Sequence, residues 1–137
     1  MRIEALDVLV GQWRLTGRTD GSENDDIIGR TTTTTLLGGR MLQLIGGIQV
    51  GEHLIESVEL IWPSRDGFRS HVYDGSGAPL EYTWAIDGDQ LTHAGQGMIY
   101  RGTISTDGNT VIGRWHADPD RPDMAHAAYD ALMRRIR

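Results

Sequence analysis

The stretch Leu9-Val10-Gly11-Gln12-Trp13-Arg14-Leu15 decides the fold. A short apolar lead (Ile3, Leu6, Val8, Leu9) precedes it and is expected to fold back, as a helical turn or two, beneath a first β-strand. Glycine followed two residues later by tryptophan is what a barrel needs where its first strand enters the base. The glycine lets the backbone turn or approach a neighbour closely, and the indole plugs the narrow end. Beyond Trp13 the alternation of Trp13, Leu15, Gly17 and Thr19 with Arg14, Thr16 and Arg18 is that of a half-buried strand. The polar run 20–26 (DGSENDD) ends it.

From there the chain reads as a meander. A threonine run, Thr31 to Thr35, lies in a second strand over 28–37, and Gly38-Gly39 turns into a third over 41–45, where Gly46-Gly47 predicts a kink or bulge. The fourth strand, 53–62, is expected to stop at Pro63, and the fifth covers 68–73. The sixth, 80–86, has the cleanest period-two pattern and turns through Asp87-Gly88-Asp89 into 90–94. Two more follow at 98–105 and 110–116, with a turn signal about every ten residues, the rhythm of a barrel or sandwich. The C-terminal segment sets two rules against each other. Ala128, Leu132 and Ile136 stand at helical spacing among strong helix formers, whereas an unpaired last edge would expose a row of backbone groups. Closure decides for a tenth strand over Tyr129–Arg135. The fold expected is all-β: one domain, residues 1–137, forming a ten-stranded antiparallel up-and-down barrel.

Composition narrows the partners. The chain has 137 residues, 18 glycines, no cysteine and a net charge of −6, so disulfides and thiolate metal sites are excluded. The acidic balance disfavours nucleic acid and anionic membranes, and the basic end (Arg134, Arg135, Arg137) is too short to reverse it. No apolar run approaches the ~18 residues of a membrane span and no secretory leader is evident, so the expected location is cytoplasmic. The five histidines show no His-x-His or His-x3-His pair, so neither a metal nor any other cofactor is expected.

In order and spacing the chain resembles the small calycin-like proteins of the DUF1579 type, relatives of lipocalins and fatty-acid-binding proteins. The resemblance rests on Leu9 to Arg14, on Leu36-Leu37-Gly38-Gly39-Arg40-Met41 and on Tyr73-Asp74-Gly75-Ser76-Gly77. Gly102-Thr103-Ile104-Ser105 and Asp107-Gly108 before Gly113-Arg114-Trp115 reinforce it. It implies a closed barrel with a generic small-molecule cavity and no settled activity. It also implies an arginine of the last strand packed across the first-strand tryptophan, here Arg135, with Arg134 as second choice. Gly11, Trp13 and Arg135 are therefore the expected structural residues.

If Trp13 points inward, apolar faces place Tyr82, Trp84, Tyr100 and Trp115 inside, together with Thr31, Thr33 and Thr35. These side chains either fill the core or line a ligand cavity, and Gly17, Gly102 and Gly113 on the same faces favour the cavity. The fifth strand offers Phe68, Ser70 and Val72 on one face and Arg69, His71 and Tyr73 on the other. Burial energy favours the first set inside. The resemblance at Tyr73-Asp74-Gly75 favours the second, which would bring His71 and Tyr73 to Glu59. That arrangement is the reading taken, against the plainer one of a solvated outer face. The expected function is binding of a small, mostly apolar or amphipathic molecule, with a homodimer as an option. The alternative is a cofactor-free tailoring enzyme, a cyclase or isomerase, with acid–base help from His71, Tyr73 or Glu59.

Overall fold

The structure is a computed structural model that describes residues 2–136; Met1 and Arg137, the last of the C-terminal arginines, lie outside the described residues. A 3₁₀ helix, Ile3–Leu9, leads into β1 (Gly11–Thr19), β2 (Ile27–Leu36), β3 (Met41–Val50), β4 (His53–Ser64) and β5 (Gly67–Tyr73). Then come β6 (Leu80–Asp87), β7 (Gln90–Gly95), β8 (Met98–Ile104) and β9 (Thr110–Ala117). A second 3₁₀ helix, Pro122–Ala127, precedes β10 (Tyr129–Arg135). Every strand pairs antiparallel with its sequence neighbour, and β10 pairs with β1, closing a ten-stranded up-and-down barrel.

Closure settles the C-terminal conflict. In β10 the row from Trp13↔Arg135 to Thr19↔Tyr129 satisfies the β1 edge, and the opposite side of β10 pairs with β9. The helix-forming residues before it are used in the short 3₁₀ turn, with Pro122 at its start. Two expectations about strand ends are corrected. Gly46-Gly47 makes no bulge, because the ladders to β2 and β4 run through both residues without a break. A Cβ on Gly46 would lie 2.7 Å from Thr31 Cγ2, so the missing side chain gives a neighbour room. Pro63 does not stop β4, which continues to Ser64; Pro63 faces Phe68 beside the turn, where a missing donor costs the ladder little.

Side chains alternate across each strand, so one inward residue fixes the rest. Trp13 is inward and 2 % exposed, packed with Leu6, Leu9, Leu42, Ile61 and Phe68 into a solid plug at one end of the barrel. Its Nε1–H donates to the Leu9 carbonyl at 2.9 Å, which ties the 3₁₀ lead to the base. The Arg135 guanidinium lies over the indole, 4.3 Å from its centroid. It also donates to the carbonyls of Val8 (2.7 Å), Val10 and Gly108 (3.1 Å), and to Asn109 Oδ1 (3.0 Å). One side chain thus joins the lead, the base and the β8–β9 turn. The opposite half of the barrel is open.

Candidate functional site

Above the plug the barrel encloses a cavity of about 300 Å³, with walls that are mostly apolar. A larger depression, about 640 Å³, runs outside the barrel along the β4–β5 turn and β6. Its flanks carry Arg65, Asp66 and Arg69 and are half polar, so the interior is the better match to a ligand pocket.

One buried carboxylate organises the cavity. Glu59 on β4 is 4 % exposed, and its Oε2 accepts three hydrogen bonds: from Ser70 Oγ at 2.6 Å, Trp84 Nε1 at 2.8 Å and His93 Nε2 at 3.0 Å. The donors come from β5, β6 and β7, successive strands on the same side of Glu59. Burial pushes the Glu59 carboxyl upward; the facing His93 and the three hydrogen bonds outweigh it and hold the group below its ordinary 4.5. An ionised carboxylate only accepts, so Nε2 of His93 carries the proton in that bond.

Oε1 is left over. No hydrogen bond to it forms among the described residues. Nor is it sealed: the one buried side-chain polar atom without a partner among the described residues is Thr33 Oγ1. Glu59 lines the cavity, so the surface that Oε1 retains faces it.

Around the carboxylate stands an aromatic wall. His93 stacks on Trp84, ring centroids 3.7 Å apart and planes 14° from parallel, with Tyr82 at 5.0 Å and Trp115 at 5.3 Å. Tyr100 and Tyr129 continue the wall beyond Trp115. The Tyr100 hydroxyl donates to the Ala131 carbonyl at 3.3 Å, whereas the hydroxyls of Tyr82 and Tyr129 meet no partner among the described residues. Burial raises both phenols, Tyr129 to about 12, with the Tyr82 phenol adding to the effect on Tyr129 and Glu59 and Asp74 adding to that on Tyr82. Asp74 stands at the mouth, exposed, its carboxyl lowered by hydrogen bonds from the Ser76 side chain and amide.

Of the expected site residues, the structure brings together Glu59, Tyr82, Trp84, Tyr100 and Trp115. The placement of His71 and Tyr73 is corrected: both lie on the outer face. His71 sits edge-on to Trp62 at 4.9 Å with Nε2 3.8 Å from Glu81, and Tyr73 is 42 % exposed. Burial decided the register of β5. Phe68 and Ser70 are each 1 % exposed, a buried Phe contributes roughly 1.5–3 kcal/mol, and the Ser70 hydroxyl finds Glu59. Val72, not Tyr73 or His71, pairs with Glu59 across the ladder.

The two threonines also move. Thr33 is buried but opposite Gly11, at the plug, and Thr35 lies beyond the start of β1, where it is exposed. Thr31 is the member of the run that lines the cavity. The glycines, too, work differently from expectation. A Cβ on Gly102 or Gly113 would stand 2.7 Å from the Tyr100 ring, and one on Gly95 2.5 Å from Tyr82. The space they free is occupied by aromatic rings, which lie flat against the wall.

Sequence reasoning missed Ser70, Tyr129 and, above all, His93 as site residues. The turn 87–89 carried the signal: counting back from it pairs Leu91 with Ile86 and His93 with Trp84, on the inward face.

Comparison with models of known protein families gives no match, and comparison with curated proteins gives no significant one. Among the described residues no three His, Asp or Glu side chains converge as a metal-ligand set, and no helix is long and apolar enough to cross a membrane.

Proposed function

We propose that the barrel binds one small, mostly apolar molecule in its interior, and that the chain is a calycin-like protein of the DUF1579 type. The observation that carries the first reading is the cavity of about 300 Å³, apolar-walled and provided with one accessible oxygen of a buried carboxylate. A few polar groups convergent on an otherwise apolar pocket are the usual make-up of a small-molecule site. The closed meander and the Arg135–Trp13 stack support the second.

A direct test uses pyrene, a neutral hydrocarbon whose excitation overlaps tryptophan emission. Energy transfer from Trp84 and Trp115 should saturate at one pyrene per chain. Leu44→Trp places bulk in the cavity wall beside Glu59 and should weaken binding about tenfold or more. Absence of saturable transfer, or equal affinity in the variant, contradicts the reading.

The Glu59–His93 pair also supports the enzyme alternative, with the acid–base role moved from His71 and Tyr73 to His93. A carboxylate that orients an imidazole inside an aromatic-walled pocket is equipped to move a proton. The two readings part in the His93→Gln variant: a binder keeps its affinity for pyrene and has no turnover to lose, whereas an enzyme binds and ceases to turn over.

A further inference from the structure

Resting on the binding reading above, we infer that the cavity selects amines: its ligand is an apolar molecule carrying one protonated amino group, held against Glu59 Oε1 within the aromatic wall.

Charge is the first reason. Glu59 is ionised and buried, Asp74 adds a second carboxylate at the mouth, and no arginine among the described residues lines the cavity. The chain has no lysine at all, so its cations are arginines and histidines, and among the described residues His93 is the only one of these in the lining. A carboxylate or phosphate ligand would meet two carboxylates and a histidine already engaged by Glu59, and would lose its hydration without replacement. An ammonium would meet an anion whose second oxygen has no donor.

Donor count is the second reason. An ammonium has three N–H groups and accepts nothing. Several oxygens in the cavity lining meet no partner among the described residues, among them Glu59 Oε1 and the hydroxyls of Tyr82 and Tyr129. A hydroxyl ligand can donate once, to Glu59 or to a phenol, and accept from a phenol, but it brings no charge to set against the carboxylate.

The wall is the third reason. Tyr82, Trp84, Trp115 and Tyr129 line the same cavity, and aromatic ring faces favour a cation that has left water. His93 does not compete for the same position. Its proton is already committed to Oε2, and its ring is held by the stack on Trp84.

The test compares three ligands that share one apolar body: decylammonium, decan-1-ol and decanoate. Titrations are followed by calorimetry below their micelle concentrations and at high ionic strength, where the net charge of −6 is screened. Decylammonium should bind about tenfold or more tighter than decan-1-ol, and decanoate weakest of the three. In Glu59→Gln the amide turns its oxygen to the three donors and presents NH₂ to the cavity, so the amine preference should vanish while decan-1-ol still binds. Equal affinities for the three, or tightest binding of decanoate, would overturn amine selection and leave cavity binding standing. Binding of none of them would overturn both. A folded Glu59→Gln protein that keeps the preference would overturn the role of Glu59. Should that variant fail to fold, the ranking on the unmodified protein decides.

Discussion

The guanidinium of Arg135 lies over the ring of Trp13, 4.3 Å from its centroid, and the two residues are direct cross-strand partners of β10 and β1. The last strand is therefore locked to the first at the base. Trp13→Ala should cost about 3–5 kcal/mol, as large core truncations do. Arg135→Lys should not substitute, because an ammonium cannot spread over the indole and reach Val8, Val10, Gly108 and Asn109 together. Gly11→Ala tests the same junction from the backbone. Gly11 has φ +124°, and a Cβ there would stand 2.6 Å from Arg135 Nη1. Urea denaturation should place all three variants below the parent; parent-like midpoints would mean that the barrel closes without this contact.

The inward glycines should differ in how they can be rescued. At Gly102 the three atoms nearest an added Cβ belong to the side chains of Tyr100 and Val111, whereas at Gly113 the nearest is the Arg101 carbonyl at 2.3 Å. Each Gly→Ala change should cost about 1–3 kcal/mol. Adding Tyr100→Ala should relieve Gly102→Ala in a double-mutant cycle and leave Gly113→Ala unrelieved. Equal coupling at both positions would contradict the geometry.

Glu59 gives stability a defined pH dependence. Its carboxyl is held below 4.5 in the folded protein, so the unfolded chain takes up that proton first. The stabilisation is complete above about pH 4.5 and is lost as the pH falls through the lowered folded value. Glu59→Leu should cost about 3–5 kcal/mol near neutrality, since it strands the donors of Ser70, Trp84 and His93. The gap in Tm between parent and Glu59→Leu should narrow as the pH is lowered from roughly 6 to 3. A gap that stays constant would show that Glu59 does not carry the linkage.

His71 and Tyr73 serve as the outer-face control. His71→Ala and Tyr73→Phe should each change stability by within about 0.5 kcal/mol and leave pyrene affinity unchanged. Tyr82→Phe, which removes an unpartnered hydroxyl from the cavity, should alter decylammonium affinity. A loss of pyrene binding in His71→Ala would contradict the observed register of β5.

Much of this was legible in the residues, and the exceptions have physical causes. Gly11-x-Trp13 with Arg135, the closing strand, and the inward faces of β1, β6, β8 and β9 follow from strong alternation or from the need to pair an edge. β5 carries an aromatic on both faces, so alternation was silent and only burial could choose; burial favoured Phe68 and Ser70. His93 lies on a six-residue strand with little pattern of its own, and its position followed only from the register of the turn before it. A glycine on an inward face speaks equally for a cavity and for a neighbouring ring, and here Tyr100 and Tyr82 took the space.

The central claim is that the interior of the barrel is the binding site, and the four tryptophans report on it from distinct places. Trp13 donates to Leu9 in the closed base, Trp62 lies outside against His71, Trp84 donates to Glu59, and Trp115 lines the cavity. Indole N–H signals in a ¹⁵N-resolved NMR titration with pyrene therefore locate the ligand. Shifts of the Trp84 and Trp115 signals, with Trp13 and Trp62 unmoved, are the predicted result. A shift confined to Trp62 would place the ligand on the outer face and contradict the account.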